Sequence, residues 1–114
     1  MDFHITTISN CIVVHMPVRI DHKLSEELLK RITMEAESRP DFAVILDFED
    51  VLSIASSGFG AMIQIQRTLN QTKRTLNVCS LSDKIRGLLD ALDFQGTFTV
   101  HDTVNDAIAL NEKR

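Results

Sequence analysis

The spacing of apolar residues changes several times along the chain, and each change marks a predicted element. Residues 3–8 alternate imperfectly between apolar and polar side chains, Ser9 and Asn10 form a turn signal, and residues 11–16 are an apolar run rich in branched side chains. This order predicts a β-hairpin. A continuous apolar stretch at 43–48 predicts a strand that is covered on both faces, as in a parallel sheet.

Apolar residues at helical spacing predict four helices. Asp21 stands where its side chain can cap the first helix, which ends at Arg39-Pro40. The second helix is predicted from about residue 57 to residue 71. Ser82 can cap the third helix, and Thr103 begins a capping box before the last one.

Two further strands complete the predicted fold. They lie at residues 74–81 and 97–101, and Gly96 precedes the second of them. The order is β-β-α-β-α-β-α-β-α, in which helices alternate with strands. It predicts a single α/β domain over residues 1–114, with a mixed, mainly parallel sheet whose first strand is antiparallel.

The second predicted helix has two unlike faces. Its core face is predicted to carry Phe59, Met62, Ile63, Gln66 and Leu69, and its outer face Ala61, Gln64, Ile65 and Thr68. The outer face has no formal charge, so it is either a binding surface for another protein or a plain solvent face with one isoleucine. Gly58 and Gly60 are poor helix formers, and two reasons for them stay open: close approach of a partner, or tight packing of the helix on the sheet.

Composition excludes several classes of protein. Twelve basic against sixteen acidic residues give a net charge of −4, and the chain has no Trp or Tyr, which disfavours nucleic-acid binding. No apolar run is long enough to insert in a membrane, and the first residues do not resemble a signal peptide, so we expect a cytoplasmic protein. Cys11 and Cys79 lie in separate apolar runs and are expected to be buried free thiols.

The sequence has few signs of catalysis. It lacks the G-x-S-x-G motif of α/β-hydrolases and the glycine-lysine motif of nucleotide-binding loops. The four histidines are scattered, and the acidic residues at 47–50 are expected to form a solvated loop rather than a metal site. We therefore expect neither an enzyme nor a bound metal or cofactor.

Ser56 and Ser57 lie at the predicted start of the second helix, where chemistry of another kind is favoured. A helix N-terminus has free amide groups and the positive end of the helix dipole, so it tolerates a negative group, including a phosphate on a serine. From the residues alone, Ser56 is either a helix cap or a switch.

Residues 44–50 form a hydrophobic strand that ends in acidic residues, and residues 54–60, Ile-Ala-Ser-Ser-Gly-Phe-Gly, form a turn before an apolar helix. These two segments resemble the STAS domain family of bacterial anti-sigma factor antagonists, in which the turn is Asp-Ser-Ser-Gly or a close variant. Asp21 matches an acidic residue before the first helix of the family. Residues 78–81 and 85–89 match a later strand and helix, so the resemblance covers nearly the whole chain.

The resemblance implies a regulatory binding protein that phosphorylation controls. Ser56 would be phosphorylated by a partner, a serine kinase and anti-sigma factor with a histidine-kinase-like ATP-binding fold, and a PP2C-type phosphatase would reverse the reaction. The unmodified protein would bind the partner and the phosphorylated protein would release it. The implied partner surface consists of Asp21, His22, Ile54, Ala55, Ser57, Gly58, Ala61, Gln64, Ile65 and Thr68.

One departure and several alternatives remain open at this point. Ala55 replaces the family's aspartate, which either slows phosphorylation of Ser56 or removes charge repulsion from the phosphoserine; Asp21 and Asp47 are candidates to substitute for that carboxylate. The resemblance leaves the regulated output open between a sigma factor, as for many single-domain members, and a biofilm programme, as for the SypA-like regulators. The alternatives are an unphosphorylated structural subunit of a larger complex such as a transporter, and a small serine hydrolase, which requires a histidine about 2.6 to 3.2 Å from the Ser56 hydroxyl.

Overall fold

The structure is a computed structural model that describes residues 2–92 and 97–112. The strands in these residues are β1 (His4–Ile8), β2 (Cys11–His15), β3 (Arg19–Ile20), β4 (Ala43–Asp47), β5 (Ser53–Ile54), β6 (Asn77–Cys79) and β7 (Thr99–His101). The helices there are α1 (His22–Ser38), α2 (Ser56–Asn70), α3 (Asp83–Ala91) and α4 (Val104–Glu112). Gly96, which was predicted to open the last strand, lies outside the described residues.

The main sheet confirms the predicted α/β class. Its strand order is β1-β2-β4-β6-β7. The strands β1 and β2 form the predicted antiparallel hairpin, and β2, β4, β6 and β7 pair in parallel. The sequence did not indicate the short parallel pair of β3 and β5, which forms a separate small sheet.

The core lies on both faces of the sheet. Side chains alternate along a strand, so Val44 and Leu46 of β4 face the larger cluster, which includes residues of α1, α2 and α3. Ile45 faces the smaller cluster with Ala107 and Ile108 of α4. This two-sided burial explains why the 43–48 stretch is continuously apolar.

Side chains cap three helices as the sequence predicted. The Asp21 carboxylate accepts a hydrogen bond from the Leu24 amide at 2.8 Å, and the Ser82 hydroxyl accepts one from the Ile85 amide at 3.2 Å. The Thr103 hydroxyl accepts one from the Asp106 amide at 3.1 Å. No helix in the described part of the chain combines the length and the apolar character needed to cross a membrane.

The predicted faces of α2 are partly wrong. Ile65 is only 2% exposed and belongs to the main core, and Ala61 is also buried, whereas Ile63 is only half-buried. At about 100° per residue, the buried positions of α2 span roughly 160° of its circumference. The helix packs against α1 as well as against the core, so one buried flank faces its neighbouring helix. The apolar period of the sequence predicted the face of α2 that packs on the sheet, but it did not predict the flank that packs against α1.

Both thiols are buried and free, as expected. Burial, reinforced by the nearby Asp47 carboxylate, raises the pKa of Cys79 to about 12, and burial also raises the pKa of Cys11. At pH 8 the thiolate fraction of Cys79 is then on the order of 10⁻⁴.

We therefore expect the folded protein to resist iodoacetamide at pH 8 and to react at both cysteines once urea unfolds it. Mass spectrometry of alkylated protein with and without urea measures the reactivity, and equal rates in the two states would contradict the burial.

The raised pKa values also make stability depend on pH. Above about pH 8.5 the thiols of the unfolded chain ionise and those of the folded protein do not. The free energy of unfolding is therefore expected to fall as the pH rises from there towards 12.

Candidate functional site

The turn before α2 is held by the short parallel pair that the sequence did not reveal. Ile20 of β3 lies in register with Ile54 of β5, and the Ala55 amide donates a hydrogen bond to the Ile20 carbonyl at 2.8 Å. Just before this pair along both segments, the Leu52 amide donates a hydrogen bond to the Val18 carbonyl at 2.7 Å. These bonds fix the chain that leads into α2, so its first residues have a defined position.

Ser56 is the first residue of α2 rather than its cap. The N-cap position is Ala55, which makes no side-chain capping bond, so the helix starts one residue before the predicted Ser57. Ser56 is exposed, and its hydroxyl makes no hydrogen bond to any other residue of the described chain. The interpretation of Ser56 as a plain cap is therefore wrong, and its hydroxyl faces solvent at the positive end of a helix.

Ser57 has a different environment from its neighbour. It is half-buried, and its hydroxyl donates a hydrogen bond of 3.4 Å to the Ser25 hydroxyl. Ser25 is 2% exposed and donates to the Asp21 carbonyl at 2.7 Å. Ser57 therefore ties the start of α2 to the start of α1, which is a structural role.

Gly58 is explained by packing inside the domain. A Cβ at this position would lie 2.5 Å from the Ile54 Cγ2 atom and 3.1 Å from the Ile20 Cγ2 atom. Only a residue without a side chain lets α2 sit this close to β3 and β5. Of the two reasons left open for Gly58, tight packing of the helix on a sheet is the one the structure favours.

Gly60 has no such constraint. A Cβ there would have nothing within 4 Å, and the residue is exposed. Packing within the described part of the chain therefore does not explain this glycine, and the partner interpretation remains for it.

A groove of about 300 Å³ runs between α1 and α2 next to this turn. Its lining joins four residues of α1 to four of α2, namely His22, Ser25, Glu26, Leu29, Ser57, Gly60, Ala61 and Gln64. Sequence analysis placed half of them on the implied partner surface, named Gly60 only as a point where a partner could approach, and missed Ser25, Glu26 and Leu29. Ser25, Leu28, Leu29 and Ile32 follow a helical i, i+3, i+4, i+7 spacing, and a polar residue within such a stripe was the signal that could have indicated a lined groove.

The other predicted surface residues lie around this groove at different depths. Asp21 is exposed beside it as the cap of α1, and Ile54 is half-buried in β5. Thr68 lies one turn after Gln64 and donates to the Gln64 carbonyl at 3.3 Å. Ile65 is buried and leaves the candidate surface, because a partner cannot reach it without moving α1 or α2.

The acidic residues named as substitutes for the family's aspartate do not come from the helix that Ser56 begins. The first turn of α2 contains no acidic residue. Asp47, a candidate to replace the family's aspartate, is only 6% exposed and is already bound by the His15 ring at 3.1 Å and the Glu49 amide at 3.0 Å. Its carboxylate is therefore engaged at the end of β4.

The histidines have partners other than Ser56. The His22 ring pairs with Glu26 at 3.2 Å, and the His101 ring with Asn77 at 2.9 Å. The His4 ring stacks on that of His15 with centroids 4.4 Å apart. None of these contacts aligns a base with the Ser56 hydroxyl. Residues 2–92 and 97–112 also contain no group of three or more His, Cys, Asp or Glu side chains that could hold a metal ion.

Comparison with solved structures gives three informative similarities. An anti-sigma-factor antagonist (STAS) domain protein from Planctomyces limnophilus superposes with a TM-score of 0.86 at 16% identity, over 96% of this chain and 97% of that one. The anti-sigma factor antagonist SpoIIAA in its unphosphorylated form gives 0.76 at 18% identity, over 97% of each chain. SpoIIAA from Bacillus is also known in a phosphorylated form, with a TM-score of 0.73, 20% identity, and coverage of 98% of this chain and 99% of that one.

A membrane protein shares the fold too. The murine anion transporter Slc26a9 gives a TM-score of 0.75 at 15% identity, over 96% of this chain but only 19% of the transporter. At these identities the similarities show the fold alone. The family model of the STAS domain, in contrast, matches residues 2–107 of the sequence itself. The chain therefore belongs to the STAS domain family.

Proposed function

We propose that this chain is a regulatory binding protein of the anti-sigma factor antagonist type, controlled by phosphorylation of Ser56. In the unmodified state it binds a cytoplasmic serine kinase that also serves as the anti-sigma-like partner. Phosphorylation by that kinase releases it, and a PP2C-type phosphatase restores binding. The kinase supplies the ATP and the catalytic groups, so this chain acts as substrate and ligand.

The observation that carries the proposal is the exposed, unbonded hydroxyl of Ser56 at the start of a rigidly held helix. A substrate serine must present its oxygen to another protein, which Ser57 does not do because its hydroxyl donates to Ser25. The backbone bonds of Ala55 and the packing of Gly58 hold the turn in one position. Ser56 is thus accessible to a kinase while its surroundings stay fixed.

Release follows from electrostatics rather than unfolding. A phosphate adds about −1.5 to −2 charges and three acceptor oxygens. At the N-terminus of α2, where the first turn has no acidic residue, that charge favours the helix by about 0.3–1 kcal/mol. The domain therefore stays folded, and the added charge has to be desolvated when a partner covers Ser56, which weakens binding.

The partner surface follows from the same geometry. We place it on Asp21, His22, Ile54, Ala55, Ser56 and the accessible lining of the α1–α2 groove, with Gln64 and Thr68 on its far side. Gly60 belongs to this surface because its open Cα allows a partner's backbone to approach. Similarity to a protein that is known in both unphosphorylated and phosphorylated forms supports control by phosphorylation, not the extent of this surface.

The test is a matched set of pull-downs from the native cell, together with mass spectrometry of the native protein. We expect Ser56→Ala to retain the partner and Ser56→Asp to bind about tenfold more weakly or worse. A tenfold loss corresponds to about 1.4 kcal/mol, which is modest for a charge buried in an interface. Phosphate is expected on Ser56, and stoichiometric phosphate on Ser57 alone would show that the site is wrong.

A second candidate is a structural STAS subunit of a larger complex that is never phosphorylated. It is favoured by the similarity to one domain of an anion transporter. In that case Ser56→Ala and Ser56→Asp behave alike, and the native protein carries no phosphate under any growth condition. The same experiments therefore distinguish the two functions.

A further inference from the structure

We infer that strand β1 pairs with the β1 strand of a second copy of this chain, antiparallel and about a twofold axis at Thr6. β1 is one edge of the main sheet, and within the described residues it pairs only with β2. The backbone amides and carbonyls on its other side are therefore open to another strand. The pairing would join two five-stranded sheets into one of ten strands, and it does not depend on the function proposed for Ser56.

β1 lacks the features that usually prevent pairing at the edge of a sheet, which are charged side chains, proline, bulges and short length. Its five residues, His4–Ile8, carry no formal charge and are rich in β-branched side chains, and their register with β2 runs without a bulge. Four of the five are exposed, so nothing in the described part of the chain covers this edge. The strand at the other edge, β7, has only three residues. The longer, unprotected edge is the one we expect to accept a strand.

The distribution of charge favours a second copy as the occupant. Residues 3–18 contain no Lys, Arg, Asp or Glu, although these residue types make up 25% of the chain. Two copies with a net charge of −4 each repel one another, and the repulsion is smallest where neither contributes a charged side chain. An edge that selected an acidic or a basic peptide would carry side chains of the opposite charge, and His4–Ile8 has none. The neutral hairpin is thus suited to meet an identical neutral hairpin.

Symmetry limits the register of the two strands. Side chains alternate between the two faces of a sheet, so two antiparallel copies related by a twofold axis must align on a residue. Alignment on Thr6 pairs the whole strand, with His4 opposite Ile8 of the second copy and Ile5 opposite Thr7 of the second copy. Ile8 is 44% exposed, and in this register it would pack beside an imidazole ring. The two Thr6 side chains would face each other across the axis, with Cβ atoms about 4.5–5.5 Å apart.

Backbone hydrogen bonding agrees with this register. The turn at residues 9–10 joins Ile8 to Cys11, its partner on β2. In a hairpin with a two-residue loop, the residues that flank the loop exchange hydrogen bonds, and bonded pairs then alternate with non-bonded ones along the ladder. Ile5 and Thr7 are therefore at non-bonded positions relative to β2, and their amides and carbonyls point away from it. Because Ile5 of one copy meets Thr7 of the other, the open groups of the two strands come together.

The test is analytical ultracentrifugation of the full chain over a concentration series, with charge variants at Thr6. A contact limited to two five-residue strands is smaller than a standard interface of about 1,600 Å², so we expect a dimer that dissociates on dilution. Thr6→Lys and Thr6→Glu change an exposed position, and each places like charges opposite each other, so each should weaken the dimer at least tenfold. An equimolar mixture of the two variants should dimerise where neither does alone, because opposite charges then meet across the axis.

The matched control is Val100→Lys, which places the same charge on the middle residue of β7, at a position that is 44% exposed. It should leave the dimer unchanged, and circular dichroism verifies that all variants are folded. A wild type that stays monomeric at every concentration would overturn the proposal and leave the edge to a strand of another protein. So would a mixture of the two Thr6 variants that fails to dimerise, assemblies larger than a dimer, or a dimer that Val100→Lys abolishes and Thr6→Lys does not.

Discussion

Replacing Gly58 with alanine is expected to lower the free energy of unfolding by about 1–3 kcal/mol, a typical cost of overpacking. The new Cβ would lie 2.5 Å from the Ile54 Cγ2 atom, and a methyl on a β-branched side chain has little freedom to move away. Either α2 or β5 must shift. The gain in helix propensity, about 1 kcal/mol for Gly to Ala, offsets only part of this cost.

Gly60→Ala is the matched control, because it makes the same chemical change two residues later in the same helix. Nothing lies within 4 Å of its Cβ, so the propensity gain of about 0.5–1 kcal/mol should appear as added stability. Urea unfolding of both variants measures the difference. If Gly60 belongs to the partner surface, this stabilised variant should also bind the partner less well.

A third variant tests the cause of the Gly58 effect. Ile54→Ala removes the methyl group that the new Cβ would meet, so the double variant with Gly58→Ala should be destabilised by less than the sum of the two single changes. Strict additivity, or a Gly58→Ala protein as stable as the wild type, would contradict the contact with Ile54.

Replacing Arg74 with alanine is expected to lower the free energy of unfolding by about 3 kcal/mol. Its guanidinium donates hydrogen bonds to the carbonyls of Ala36 at 2.9 Å, Arg39 at 3.1 Å and Phe42 at 2.8 Å. These carbonyls lie at the C-terminal end of α1 and in the turn that follows. A positive charge there also interacts favourably with the negative end of the helix dipole. Hydrogen bonds to charged groups contribute about 1.5–3 kcal/mol each, and they are not additive at one site.

Two further variants separate charge from geometry. Arg74→Lys keeps the charge, but one ammonium group cannot reproduce the planar guanidinium contacts, so we expect an intermediate loss. Arg67→Ala removes an exposed arginine from the last turn of α2 and should change stability by no more than about 0.5 kcal/mol. Thermal and urea unfolding measure all three variants, and equal losses at positions 67 and 74 would exclude a specific role for Arg74.

Local signals were sufficient for most of the fold. Strand and helix periods differ, so the hairpin, the buried strand at 43–48 and the caps at Asp21, Ser82 and Thr103 could be predicted from nearby residues alone. The two-residue strands β3 and β5 could not, because a pair this short has no period and its partners are more than thirty positions apart. That pair fixes the turn before Ser56, so the sequence located the candidate site without showing what holds it.

The amino-acid sequence by itself determined the family, the order of the four helices and the five strands of the main sheet, and the position of Ser56 at the start of a helix, because these depend on residues that are neighbours along the chain. Tertiary structure decided which serine is free, since Ser57 turns inward only because Ser25 of α1 lies beside it. It likewise buried Ile65 against the core and gave Gly58 and Gly60 opposite surroundings. These properties depend on contacts between segments that are far apart along the chain, and the local spacing of apolar residues does not indicate such contacts.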